Sequence, residues 1–169
     1  SVTVTVPSTD TTAPTVVAIS FASSAGADDT YKTGDVVSLT VIFSESVSVT
    51  GTPILPLAGL ASKNATYASG SGSSSLTFSY TVQSGDTDTD GLAITANTLA
   101  QSGGSTITDS SNNAANLNHS ALAAQVSHKV DTTGPTAPTI DATADDTYAD
   151  GEVVEISATF NEPMAVTGT

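Results

Sequence analysis

The chain has 169 residues, 38% of them apolar, with seventeen acidic residues against three lysines, no arginine and no cysteine, for a formal net charge of −14. That is enough apolar mass for one ordinary domain or one and a half small ones. It excludes nucleic acid as a partner, since phosphate neutralisation needs a basic surface, and it leaves any stapling of the fold to something other than disulfides. No run of eighteen apolar residues occurs, so no membrane insertion is predicted, and SVTVTVPSTD lacks the basic and apolar regions of a signal peptide.

Thr, Ser, Ala, Gly, Asp and Val dominate while strong helix formers are scarce, so the chain is predicted to be all-β. Val2, Val4 and Val6 alternate with Thr3 and Thr5 as a strand, and the segment DTTAPT from Asp10, braced by Pro14, reads as a stiff linker. Val17, Ile19 and Phe21 alternate next, followed by a turn from Gly26 to Asp35 that holds Asp28, Asp29 and Asp35. In Val36 to Ser44 one face carries Val37, Leu39, Val41 and Phe43, and Glu45 follows. Leu76, Phe78, Tyr80 and Val82 form another alternating run after the Gly/Ser cluster SGSGSSS. Then come the acidic turn GDTDTDG, the loop TDSSNNAAN and a final strand, with Ala121 to Gln125 the nearest approach to a helical pattern. About seven short strands in roughly 120 residues suit an immunoglobulin-like Greek-key β-sandwich.

An internal repeat organises these elements. DTTAPT (Asp10 to Thr15) returns as DTTGPT (Asp131 to Thr136), offset by 121 residues, and Asp28 to Thr52 returns as Asp145 to Thr169, offset by 117 with 13 of 25 positions identical. The second copy predicts which strand face is buried: Val154, Ile156, Ala158 and Phe160 stay apolar while Glu155 charges the other face. Residues 1–9 are therefore expected to close a preceding repeat, 10–130 to be a complete one, and 131–169 to open the next, in a tandem array.

Immunoglobulin strand order sorts the loops to two poles. One pole receives Asp28 and Asp29, the GDTDTDG turn with Asp86, Asp88 and Asp90, and the outgoing linker at Asp131. The other receives the incoming linker at Asp10, Glu45, and the loop with Asp109 and Asn113; Glu162 is the second copy's counterpart of Glu45. Each junction between repeats would thus gather carboxylates, the hard oxygen ligands that suit Ca2+. Asp86-x-Asp88-x-Asp90-Gly91 matches the first half of an EF-hand loop, but position twelve is Asn97 and no helices flank it. The alternatives are a solvated acidic turn there and a hydrogen-bonded Asx turn at Asp109.

The DTTAP opening, the FSE followed by VTG, the SGSGSSSLTFSYTV strand and the GDTDTDG loop resemble the immunoglobulin-like (cadherin-like) tandem extension repeats of large bacterial surface adhesins. One departure is TDSSNNAAN, where related repeats often carry Asp followed by Gly-Asn. The resemblance implies a non-enzymatic, calcium-stabilised spacer on an extracellular or cell-surface protein of adhesion and biofilm, with neighbouring repeats as its partners.

Two other readings follow from the residues. A matrix filament or surface layer would assemble copies of the chain by sharing strands. A carbohydrate-binding module would need an aromatic platform, for which only Tyr31, Tyr67, Tyr80 and Tyr148 are available. Catalysis has little to work with: His119 and His128 are expected at a surface or strand edge, and no serine sits on a nucleophile elbow.

Overall fold

The computed structural model describes residues 9–142, 147–162, 164 and 166–168. The strand predicted for Ser1 to Thr9 lies outside them except for Thr9. The chain divides after Thr132 into two compact units. All described residues are strand, turn or irregular chain, with no helix, and Ala121 to Gln125 is extended chain tied by a bridge between Leu122 and Ile94.

In the first unit the larger sheet has the order β1 (Val16–Phe21), β3 (Val36–Thr50), β6 (Ser73–Thr81), β5 (Asn64–Ser69) and β4 (Ile54–Pro56), all antiparallel, with β8 (Thr106–Thr108) joining the far end of β3. A smaller sheet sets β9 (Lys129–Asp131) between β2 (Thr30–Tyr31), which runs parallel to it, and β7 (Thr87–Asp88), which runs antiparallel. The architecture is all-β and consistent with a sandwich.

Period-two alternation decides which side of the larger sheet is buried. Val37, Leu39, Val41 and Phe43 of β3 and Leu76, Phe78 and Tyr80 of β6 point inward. They form one core cluster with Leu92, Ile94 and Leu99 from irregular segments, Ile107 of β8 and Val130 of β9. Each such side chain contributes roughly 1.5–3 kcal/mol of transfer free energy. Cross-strand rows of small polar residues, such as Ser38–Ser79–Thr66, cover the outer side.

The second unit pairs β10 (Thr139–Ala142) with β11 (Ile156–Thr159), and the sequence repeat is matched by a repeat of register. Ile140 faces Ala158 as Ile19 faces Val41, and Asp141 faces Ser157 as Ser20 faces Thr40. The same backbone donor is met in both copies: Thr15 N–H donates to Ser44 Oγ at 3.0 Å, and Thr136 N–H to Asn161 Oδ1 at 2.8 Å. Val154, Ile156, Ala158 and Phe160, predicted to be core, are exposed here, since among the described residues β10 and β11 pair only with each other.

Candidate metal centre

β3 pairs with β6 as far as Ile42, loses register, and resumes at Val47, so the chain between them is displaced from the ladder. Glu45 sits on that irregular stretch. Beside it, Ser44 N–H donates to Thr15 O at 2.9 Å, which holds the linker residues Asp10 to Thr15 against β3, and Asn116 N–H donates to Pro14 O at 2.8 Å. β8 ends next to the same place, since Ser48 pairs with Thr108, and delivers Asp109. Three segments far apart in sequence thereby bring Asp10, Glu45 and Asp109 together, with carboxylate oxygens within 4.8 Å of one another. Among the described residues these are the one group of three or more His, Cys, Asp or Glu side chains this close, and the group can hold a metal ion.

Its members differ in environment. Asp10 is exposed, and its Oδ1 accepts from Thr12 N–H at 2.9 Å in an Asx turn. Asp109 is 3% exposed. Its Oδ1 accepts from Ser111 and Asn113 N–H, both at 2.8 Å, and its Oδ2 from Asn113 Nδ2 at 2.7 Å. Burial raises the Asp109 pKa, but these three hydrogen bonds outweigh it and hold the carboxyl below its ordinary value. Glu45 is pushed up instead, first by desolvation and then by the charges of Asp10 and Asp109. Lys32 and Lys63 are ion-paired elsewhere, with Asp28 at 2.7 Å and Asp86 at 3.4 Å. Three carboxylates brought so close favour a hard cation that neutralises them.

The other predicted ligands are arranged differently. The segments bearing Asp28 and Asp29, Asp86 to Asp90, and Asp131 do share the small sheet β2–β9–β7. Their carboxylates, however, form no comparable triad. Asp86 precedes the extended pair Thr87–Asp88 and Asp88 lies within it, and the two carboxylates are engaged by separate partners. Asp86 points into the core and accepts from Tyr80 Oη and Gln83 N–H. Asp88 folds back so that its Oδ1 accepts from Asp90 N–H at 3.2 Å and Gly91 N–H at 3.0 Å. Glu162, in the second unit, has a buried Oε1 with no hydrogen-bond partner.

Asp88 Oδ2 is also buried without a hydrogen-bond partner, pressed against Gly59, where any Cβ would overlap it. Burial, and then the Asp90 carboxyl, raise the Asp88 pKa. The protonated form is therefore favoured by folding, and that contribution is lost as pH rises through the folded pKa. Asp88→Asn keeps an acceptor for the two N–H groups and removes the buried charge. It is expected to raise Tm by a few degrees at pH 7 and to make little difference near pH 4, as read by calorimetry without divalent ions. A loss of stability at pH 7 would mean that the charge itself is needed.

Residues with no signal in the sequence also shape the unit. His119, expected at a surface or strand edge, is buried; its Nε2 accepts from Thr98 N–H at 3.0 Å and Leu99 N–H at 3.2 Å, and its Nδ1 meets Ser120 O at 2.8 Å. The ring thereby satisfies two backbone donors from a distant segment. His128 lies tilted over Phe21, 4.4 Å between ring centroids. Of the four tyrosines only Tyr148 is exposed; Tyr31 and Tyr80 are buried, and Tyr67 packs edge-on to Phe78.

No family model matches the chain, and neither a curated protein nor a solved structure is significantly similar to it.

Proposed function

We propose that this chain is a non-enzymatic spacer from a tandem array of immunoglobulin-like Greek-key sandwiches, stabilised by Ca2+, in a large extracellular or bacterial cell-surface adhesin. The observation that carries the reading is the triad of Asp10, Glu45 and Asp109. One of its carboxylates belongs to the linker entering the unit and two belong to the unit's own body, so an ion there would be shared by linker and sandwich and would neutralise both. The donor set is oxygen only, which suits Ca2+ better than metals preferring nitrogen or sulfur. The repeated register of β1–β3 and β10–β11 supports a tandem array. The pairing of β1 with β3, and the parallel return of β9 beside β2, support Greek-key order.

Calorimetric titration tests the reading. Calcium should bind the wild-type chain with about one ion at this triad, and Glu45→Ala should abolish that component of the isotherm while the unit stays folded. A calcium isotherm unchanged in Glu45→Ala would remove the triad from consideration.

A further inference from the structure

Asn113 belongs to the loop beside the triad, yet its side chain faces the linker with the wrong end for a cation. Its Nδ2 lies 2.7 Å from Asp109 Oδ2, 3.1 Å from Asp10 O and 3.3 Å from Thr12 O. An amide nitrogen amid three oxygens is a donor, and two N–H bonds shared among three acceptors fix its orientation. The residue is itself held from behind. Its N–H donates to Asp109 Oδ1 at 2.8 Å and its carbonyl accepts from Asp109 N–H at 3.1 Å. The turn between them is closed by Asn112 in the left-handed region, at φ 67°. Asn is among the few non-glycine residues that accept that conformation readily.

We propose that Asn113 is a positioning residue that clamps the incoming linker to the sandwich without any metal. The inference bears on the junction proposed above but does not need an ion there. The clamp works with two other neutral ties, Thr15 N–H to Ser44 Oγ and Asn116 N–H to Pro14 O. Together they dock the linker along its length, so the direction in which the chain enters the unit is set by hydrogen bonds. Cation binding then neutralises carboxylates at a junction already built, and its main effect is on stability rather than on linker order.

Amide hydrogen exchange in chelator reads this directly. In wild-type protein the amides of Thr12, Thr15 and Asn116 should be protected with no divalent ion present. Asn113→Ala should speed their exchange about tenfold, and Asn113→Asp, which turns a carboxylate toward three oxygens, by more. Core amides such as those of Leu39 and Phe78 should stay protected in both variants and report that the unit is folded. Wild-type linker amides protected only when calcium is added would overturn the clamp, whatever the variants do. So would exchange unchanged by either substitution. Calcium binding that fails in the titration while the linker stays protected in chelator would sink the metal reading and leave the clamp standing.

Discussion

Calcium at a hundredfold excess over its dissociation constant is expected to raise the Tm of the first unit by roughly 10 °C over the value in chelator. A ligand that binds only the folded chain adds about 2.7 kcal/mol at that excess, and for a unit of this size each kcal/mol is worth several degrees. The effect should be this large because the triad does not exist in the unfolded chain: Asp10, Glu45 and Asp109 converge only when the linker, β3 and the loop after β8 are assembled. In the absence of an ion Glu45 is held above its ordinary pKa by burial and by its two acidic neighbours, so folding there meets repulsion that a cation would remove. Asp109→Ala should erase most of the shift and Asp28→Ala none of it, since Asp28 is exposed and paired with Lys32. Differential scanning calorimetry with calcium and with chelator is the measurement, and superimposable curves would argue that the triad stays empty.

Asp86→Ala should be the most damaging single substitution at the other acidic segment, lowering stability by about 3–5 kcal/mol and Tm by more than 10 °C. The carboxylate is buried and accepts from Tyr80 Oη and from Gln83 N–H at 2.8 Å, with Lys63 Nζ 3.4 Å away. Truncation strands a buried phenol and a backbone donor at once and takes the counter-charge from Lys63, whose Nζ keeps its bond to Gln83 Oε1 at 3.0 Å, and unsatisfied groups cost more than the bonds themselves contribute. Burial, and then the bond to Asp86, push the Tyr80 phenol up to about 12, so it remains a donor through the physiological range. For Asp86, burial raises the pKa, but Tyr80, Gln83 and Lys63 together bring it below the ordinary value. A depressed folded pKa means the contribution is present above the ordinary carboxylate range and is lost as pH falls through the folded value. Wild-type stability should therefore carry an acid limb that Asp86→Ala flattens. Chemical denaturation at pH 7 and pH 3 would reveal it, and equal losses at both pH values would contradict the network.

The contrast between Asp86 and Asp109 shows where sequence reasoning ran out. GDTDTDG invites a wound calcium loop, yet its central residues extend into β7, which turns one aspartate into a core anchor and leaves another with a buried, unpartnered oxygen. The loop TDSSNNAAN departs from the familiar pattern, and it is the one that supplies the buried carboxylate of the triad. His119 carried no local signal at all, because the donors it satisfies, Thr98 and Leu99, lie some twenty residues away.

Local pattern alone indicated an all-β chain, the apolar faces of β3 and β6 and the duplicated segments, while the expectation that Asp10, Glu45 and Asp109 share one pole needed an assumed strand order as well. The apolar faces and the repeat follow from period-two alternation and from duplicated sequence, both of which are read over a few residues or between aligned copies. Tertiary structure decided which carboxylates come within reach of a single ion and which turn inward to a tyrosine. It also decided which end of Asn113 faces the linker. Those outcomes depend on sub-ångström placement of side chains from segments as far apart as residues 10 and 109, where a shift of one bulge in β3 would separate the acids again.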